Sequence, residues 1–212
     1  LEPIRAIVRA IITHQGSEFL IVFPRQAGKN EAVAHLLTYL LNLHANAGGN
    51  IVYGATGNAL GMGVERLEAR LDNAWNRGAW LRKSRPDRRI LGNAAVVFLS
   101  THPQAQARGQ TAHRLLVIDE AQDVDPAHVE AVFTPMRAAN NAPALYIGTV
   151  KLTTDFLWQK KLQLERQQQA DGVQRVFFVQ PATVMRENPY YQDFVDAQVA
   201  IHGRNHPIVA SE

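Results

Sequence analysis

Short apolar runs alternate with helical patterns from one end of the chain to the other. The runs are four to five residues long and apolar rather than alternating, as is typical of strands that are covered on both faces. This order predicts an α/β protein with a central, mostly parallel sheet flanked by helices. The predicted inner strands are residues 19–23, 50–54, 95–99, 115–118 and 144–147, and residues 175–179 are predicted to form an edge strand.

Helical periodicity occupies the stretches between these strands. Pro126 follows Asp125, which places a cap residue directly before a favoured first helical position. Gly48 and Gly49 supply the turn that ends the second predicted helix. The predicted helices are residues 3–12, 29–43, 64–79, 126–139, 154–169 and 189–202.

Composition changes this picture mainly by exclusion. The chain has 212 residues, 46% of them hydrophobic, which is enough for one large domain or two small ones without a metal or disulfide staple. It contains no cysteine, so disulfides, thiol nucleophiles and thiolate zinc sites are excluded. No apolar run is long enough to span a bilayer. We therefore expect an intracellular protein that has no membrane partner.

The formal net charge of +3 permits a nucleic-acid partner but is too small to indicate one. A local basic cluster is more informative, because arginine forks onto phosphate and pairs across interfaces. Two interpretations stay open: the cluster contacts DNA phosphates or a neighbouring protomer, or it is a solvated insertion with its tryptophans packed underneath. The cluster comprises Arg77, Arg82, Lys83, Arg85, Arg88 and Arg89, interleaved with Trp75 and Trp80.

A candidate phosphate loop lies between the first predicted strand and the second predicted helix. Gly28 at this turn would let the backbone approach a ligand, the free N–H groups of the helix start would face an anion, and Lys29 would add a positive charge. The general pattern G-x-x-x-x-G-K-[ST] is not fully matched, since Phe23 replaces its first glycine and Asn30 its hydroxyl residue. Asn30 could instead offer its carbonyl oxygen to a hard cation. The alternative is a surface turn before an ordinary helix.

Two carboxylates follow the fourth predicted inner strand. Asp119 and Glu120 would lie at the carboxyl edge of the sheet, where the Gly28 loop also emerges and where open α/β sheets bind ligands. In that position Asp119 would hold magnesium, and Glu120 would orient and deprotonate an attacking water. The alternative is an acidic loop after a strand. We accept that alternative for Asp123 and Asp125, which are expected to cap the next helix.

Three segments together resemble the ATPase domain of the large terminase subunit, the DNA-packaging motor of tailed bacteriophages. They read PRQAGKN, LLVIDEAQ and ALYIGTV, in this order and spacing, and the later ENPYYQDF resembles the segment that follows the ATPase core. That family tolerates a Walker A loop without the first glycine and usually carries the pair seen at Arg25 and Gln26. In some of its branches asparagine occupies the position of Asn30.

The resemblance implies a P-loop NTPase fold of the ASCE, RecA-like type with a small C-terminal helical subregion. Residues 1–180 would form the ATPase core. Residues 181–212 would form a trailing helical linker segment toward a nuclease domain that is absent from this chain. We therefore expect ATPase activity and no nuclease activity.

The resemblance also assigns roles to individual residues. Lys29 and Gly28 would bind the β and γ phosphates, and Asp119, together with Asn30, would hold Mg²⁺ as in a Walker B site. Glu120 would activate water for the hydrolysis of ATP. The nucleotide-binding set comprises Arg5, Arg25, Gln26, Ala27, Gly28, Lys29, Asn30 and Glu31, and the coupling motif, which passes hydrolysis to DNA movement, comprises Gly148, Thr149 and Val150.

Three arginines have candidate roles at the nucleotide. Arg5 stands where the family commonly has an adenine-contacting glutamine, and it could stack on or hydrogen-bond a base. Arg108 precedes Gly109 at the place where the family often has an arginine that reaches into the neighbouring subunit's site, where it would stabilise the transferring phosphoryl group. Arg25, inside the loop, is the competing finger in cis. We prefer Arg108 in trans, with Arg25 as a local phosphate or acid partner.

The function implied by the resemblance is Mg²⁺-dependent ATP hydrolysis that drives double-stranded DNA into a viral prohead. It implies a self-associated ring, expected to be a pentamer, with the portal protein and the small terminase subunit as partners, acting in the host cell cytoplasm. Two alternatives stay open. One is a helicase-like DNA-dependent ATPase, because DEAQ at residues 119–122 resembles helicase boxes. The other is a nucleotide-binding assembly module with low turnover of its own.

Overall fold

An eight-stranded sheet runs through the part of the chain that the computed structural model describes, which is residues 2–84, 86–107, 109–149 and 151–204. Its strands are β1 (Glu18–Val22), β2 (Gly49–Ala55), β3 (Trp80–Ser84), β4 (Asp87–Leu91), β5 (Ala94–Ser100), β6 (Leu115–Ile118), β7 (Ala144–Gly148) and β8 (Val176–Phe178). Across the sheet they follow the order β3-β4-β5-β2-β6-β7-β1-β8. The six strands β5-β2-β6-β7-β1-β8 all pair in parallel, whereas β3 and β4 are added at one edge as antiparallel strands. The predicted α/β class with a mostly parallel sheet is confirmed.

Helices cover both faces of this sheet. Successive residues of a strand point to opposite faces, and the hydrophobic core accordingly forms two clusters. Tyr53 of β2 belongs to one cluster, and Val52 belongs to the other. The helices are α1 (Glu2–Ile12), α2 (Lys29–His44), α3 (Gly57–Leu71), α4 (Pro126–His128), α5 (Phe156–Asp171), α6 (Pro181–Glu187) and α7 (Pro189–His202). The first cluster includes residues of α1, α2 and α3, and the second includes residues of α5.

The six predicted strands are all present, each within two residues of its expected ends, with β8 at an edge as predicted. Most predicted helices are present too, and the short α6 is an addition that periodicity did not indicate. The segment predicted as helix 126–139 begins with α4 and continues as a π-helical turn, Val129–Phe133, and a 3-10 segment, Thr134–Asn140. Asp125 caps its start, because its side chain accepts a hydrogen bond from the backbone N–H of His128.

The prediction of a helix at residues 64–79 is wrong over its second half. The helix α3 begins earlier, at Gly57, and ends at Leu71. Just beyond it, the side-chain oxygen of Asn73 accepts hydrogen bonds from the backbone N–H groups of Trp75 and Asn76, which stabilises a turn in place of another helical turn. The chain then forms the β3–β4 hairpin. The sequence did not predict the hairpin, because four of the five residues of β3 are exposed and this strand has no apolar run.

The structure separates the residues of the basic cluster into buried and exposed ones. Arg89 has no exposed surface: its Nε lies 2.5 Å from Glu68 and its Nη1 2.6 Å from Asp87, so it ties β4 to α3 instead of facing a partner. Trp75 is 91% exposed, which excludes the interpretation that it packs underneath the cluster. Trp80 is half-buried and donates its indole N–H to Asp72. The position of Arg85 lies outside the described residues.

The C-terminal part of the described chain is helical, with α6 and α7 following β8 directly. The side chain of Asn188 caps α7, since it accepts a hydrogen bond from the backbone N–H of Tyr191. The division into a core and a trailing segment at residue 180 stays a prediction. Among the helices of the described residues, none combines the length and the hydropathy that crossing a bilayer requires.

Candidate active site

A cleft of about 660 Å³ opens at the carboxyl edge of the parallel strands. Val22 of β1 pairs in register with Gly148 of β7, and β6 lies directly beside β7, so the loops that follow β1, β6 and β7 emerge together. Ligands bind at such an edge in open α/β sheets. Each of these three loops contributes side chains to the cleft, and α3 closes one side of it.

The segment from Phe23 to Gly28, which we call the glycine loop, forms the floor of the cleft between β1 and α2. Gly28 adopts a left-handed conformation (φ 74°) directly before α2, and a Cβ atom there would meet nothing within 4 Å. The tight turn therefore needs glycine for its backbone angles rather than for space. Among the described residues no side chain caps α2, so the N–H groups of its first turn can face a ligand.

Lys29 connects this loop with the two acidic residues after β6. Its Nζ lies 2.8 Å from Oδ1 of Asp119 and 2.5 Å from Oε1 of Glu120. The lysine side chain is 12% exposed and the Asp119 side chain 1% exposed, whereas Glu120 faces the cleft. The structure thus brings together the lysine and the two carboxylates that the sequence placed at one edge of the sheet.

Asp119 is held by a partner that the sequence did not indicate. The hydroxyl of Tyr53, on the neighbouring strand β2, donates a hydrogen bond of 2.5 Å to Oδ2, and the backbone N–H of Glu120 donates to Oδ1. Burial first, and the adjacent Asp119 carboxylate second, raise the pKa of Tyr53 far above its ordinary value, so it stays a donor. The sequence predicts Tyr53 only as a residue of a buried strand.

Glu120 itself occupies an uncommon backbone conformation. It lies in the left-handed region, with φ 48° and ψ 47°, which costs a non-glycine residue about 1–3 kcal/mol. Its Oε2 accepts a hydrogen bond of 2.6 Å from Nε2 of Gln122, and the Oε1 of Gln122 accepts one from the backbone N–H of Thr149. Strain concentrated at a cleft residue of this kind is typical of functional sites.

Several cleft residues were missed by sequence reasoning. Gln122 follows the acidic pair, but its side-chain contacts cannot be inferred from position alone. The prediction that Asp123 caps the next helix is wrong, because its carboxylate accepts hydrogen bonds from Gln122 and Lys151, and Asp125 is the cap residue. Met62 and Arg66 come from α3 at a helical spacing of four residues, and they line the cleft because α3 packs beside α2. Lys151 also lines the cleft and lies 2.8 Å from Asp123.

The predicted site residues are distributed unevenly. Arg25, Gln26, Gly28, Lys29, Asn30, Glu31, Glu120 and Thr149 line the cleft. Ala27, Asp119 and Gly148 lie beside it without lining it. Arg5 lies on the exposed side of α1, where it lines a separate groove, and the structure does not bring it to Lys29. Arg108 and Val150 lie outside the described residues.

The oxygen atoms near Lys29 fit a hard divalent cation. Asn30 carries a buried side-chain oxygen that has no hydrogen-bond partner among the described residues, and Asp119 supplies a buried carboxylate. Carboxylate and amide oxygens are the ligands that Mg²⁺ prefers, with water completing its shell. The described part of the chain contains no group of three or more histidine, aspartate or glutamate side chains that could form a complete protein cage. That absence is compatible with Mg²⁺, which usually keeps several waters.

Solved structures of bacteriophage large terminases have the same fold. The large terminase of bacteriophage HK97 matches with a TM-score of 0.61 and 17% identity over 81% of this chain and 36% of its own. The ATPase domain of the Thermus phage P74-26 large terminase matches with a TM-score of 0.60 and 18% identity over 86% of this chain and 82% of its own. A large terminase from a thermophilic bacteriophage, in complex with ADP, matches with a TM-score of 0.58 and 12% identity over 82% of this chain and 44% of its own.

These likenesses confirm the predicted α/β fold with a mostly parallel sheet, and they confirm the resemblance to terminase ATPase domains at the level of the fold alone. The chain spans about 36% of the length of the HK97 protein, but most of the isolated Thermus phage ATPase domain. No protein-family model matches the sequence, and no curated protein matches it.

Proposed function

We propose that this chain is a Mg²⁺-dependent ATPase that powers the translocation of double-stranded DNA, as the motor part of a large terminase. The observation that carries the proposal is Lys29, which contacts both Asp119 and Glu120 at the mouth of a glycine loop. A strand followed by such a loop, a helix with free N–H groups and a lysine is suited to bind a polyphosphate. The fold shared with terminase ATPase domains, one of them holding ADP, supports this choice of ligand.

Each residue has a task that follows from its position. The backbone N–H groups at the start of α2 bind phosphate oxygens, and Lys29 and Arg25 neutralise their charge. Lys29 must leave at least one of its carboxylate partners when it turns to the phosphates. Glu120, which faces the cleft, orients the attacking water and accepts its proton.

Asn30 and Asp119 are the residues that would hold Mg²⁺, on the strength of their oxygen atoms. When bound, the ion would neutralise charge on the phosphates. Glu31 has a different task, because its carboxylate lies 2.5 Å from Arg70 and thereby fastens α2 to α3. The coupling role of residues 148–150 belongs to the same proposal.

Replacing Lys29 by alanine tests the proposal. We expect ATP hydrolysis to be abolished, because the variant loses the mobile charge that binds the phosphates, while the thermal midpoint stays within a few degrees. The matched control is Lys161→Ala, which removes a lysine that contacts Glu165 on α5, outside the cleft, and should retain the wild-type rate. Hydrolysis that persists in Lys29→Ala would remove the phosphate-loop assignment.

The proposal extends to assembly. Arg108 is proposed to complete the site of a neighbouring protomer in a ring, so the hydrolysis rate per protomer should rise with protein concentration. Arg25 and Gln26 line the cleft and are exposed. A rate per protomer that is constant over the whole concentration range would contradict the arginine in trans while leaving the phosphate loop intact.

A further inference from the structure

Gln122 is almost fully buried, at 7% exposure, yet each end of its amide contacts a different part of the site. Its Nε2 donates to Oε2 of Glu120 at 2.6 Å and to Asp123 at 3.1 Å. Its Oε1 accepts the backbone N–H of Thr149 at 3.2 Å. The side chain therefore bridges the loop after β6 and the loop after β7.

This bridge is one part of a closed circuit of contacts around the cleft. Lys29, next to the glycine loop, contacts Oε1 of Glu120, and Gln122 holds the other oxygen of the same carboxylate. From Gln122 the circuit continues to Thr149, whose hydroxyl donates to the backbone carbonyl of Phe23 at 2.9 Å. Phe23 begins the glycine loop, so the circuit returns to the segment from which it started.

Gly148 leaves the space that the bridge occupies. A Cβ atom at this buried position would lie 2.1 Å from Oε1 of Gln122, far inside any real contact. Its next neighbours, a methyl group of Leu157 at 3.1 Å and the backbone nitrogen of Ala121 at 3.3 Å, would have to give by only a few tenths of an ångström. A methyl group at residue 148 would therefore displace the flexible amide of Gln122 before it disturbed the backbone.

We propose that Gln122 is the positioning residue that keeps Glu120 aimed into the cleft when Lys29 moves from Glu120 to the phosphates, and that Gly148 is glycine to make room for this bridge. The proposal rests on the function proposed above. Glu120 has two anchors without nucleotide, one on each oxygen, and the arrival of a polyphosphate removes the lysine anchor. Gln122 keeps the second anchor and connects the position of Glu120 to residues 148–149.

The proposal is tested by a double-mutant cycle of Gln122→Ala and Gly148→Ala, with kcat and KM for ATP as readouts. Each single variant should lower kcat by on the order of 10–100-fold, because a small misplacement of a catalytic group costs that much, with KM little changed. Gln122→Glu should lower kcat about as much as Gln122→Ala does, because it keeps an acceptor for Thr149 but loses the donor to Glu120. The double variant should be no slower than Gln122→Ala, because both changes remove the same bridge.

Two control variants separate positioning from general loss of structure. Gly61→Ala adds a methyl group on α3 where nothing lies within 4 Å, and Gln167→Ala truncates an exposed glutamine on α5. Both should keep the wild-type kcat. Thermal unfolding of all variants shows whether the fraction of folded protein accounts for a lower rate.

The outcomes of this cycle are distinguishable from failure of the proposed function. A wild-type protein without Lys29-dependent hydrolysis would contradict the function itself. If the wild type hydrolyses ATP and Gln122→Ala retains its kcat, the positioning role is wrong while the function stands. The link between Gly148 and Gln122 would be overturned if the two reductions in kcat multiplied in the double variant. It would also be overturned if kcat fell in proportion to the thermal midpoint of each variant, whether or not the bridge was removed.

Discussion

At the scale of single residues, the site depends on the hydrogen-bond donors that surround the buried carboxylate of Asp119. Asp119 receives hydrogen bonds from Tyr53 and from the Glu120 backbone, in addition to its contact with Lys29. Gly63 of α3 makes this possible, because a Cβ atom there would lie 2.6 Å from the hydroxyl of Tyr53. If Lys29 turns to a ligand, Tyr53 still satisfies the carboxylate from the opposite side.

Replacing Tyr53 by phenylalanine should therefore reduce stability. The variant keeps the aromatic ring but leaves Oδ2 of Asp119 without its donor, and an unsatisfied buried acceptor costs about 1–3 kcal/mol. The measurement is the free energy of unfolding in urea at neutral pH. Tyr39→Phe, which removes a hydroxyl from a half-exposed tyrosine on α2, is the control. If the two variants lose the same free energy of unfolding, the hydrogen bond from Tyr53 to Asp119 does not contribute measurably to stability.

At the scale of elements, α3 both supports and completes the cleft. Glu31 of α2 lies 2.5 Å from Arg70 but 3.9 Å from Arg66, so Arg70 carries the main contact between the two helices. Arg66, one turn earlier, lines the cleft together with Met62. It is therefore the arginine of α3 that can turn from Glu31 toward an anionic ligand.

Nucleotide affinity should distinguish these two arginines. Arg66→Gln is expected to weaken the binding of a non-hydrolysable ATP analogue by about tenfold, the equivalent of one charge-assisted hydrogen bond of about 1.4 kcal/mol. Arg70→Gln removes the same charge from the same helix, but outside the cleft, and should change Kd much less. Fluorescence titration at low ionic strength measures both values. Comparable losses would mean that only the general charge of α3 matters.

At the scale of the whole molecule, the β3–β4 hairpin extends the sheet beyond its parallel part and presents a basic surface. Arg82 and Lys83 are exposed on the outermost strand and form no ion pair with any described residue. Trp75, in the segment before the hairpin, and Leu81, on β3, are exposed as well. Arg89 does not contribute, because its charge is used internally. This surface suits phosphate contacts, which need accessible cations without competing carboxylates.

The proposed function leads us to predict that charge reversal of the hairpin weakens DNA binding in a salt-dependent manner. The slope of log K against log salt concentration is negative, by about 0.9 for each phosphate contact. We expect the double variant Arg82→Glu/Lys83→Glu to make this slope shallower by about two. Fluorescence anisotropy with a short duplex at several salt concentrations measures this slope. Arg9→Glu/Arg166→Glu makes the same charge change at exposed positions on α1 and α5. If both variants keep the wild-type slope, the hairpin does not contact DNA.

The sequence by itself determined the layered α/β fold and the meeting of its two main motifs. Apolar runs of four to five residues can be buried on both faces only in a covered sheet, and parallel strands bring their carboxyl ends to one edge. The sequence therefore predicts that Lys29, Asp119 and Glu120 lie together at this edge. Each of these inferences uses local pattern and a rule that holds for every sheet of this kind.

The tertiary structure alone decided which polar residues serve the fold and which serve the site. The sequence grouped Arg89 with exposed arginines, yet it lies buried between Glu68 and Asp87. Tyr53 belongs to a separate apolar strand, and Gln122 follows the acidic pair in the sequence. Their contacts with Asp119 and Glu120 depend on strand order and on which way each side chain points. These partners are distant in the chain or depend on rotamers, so their energies arise only after the elements pack.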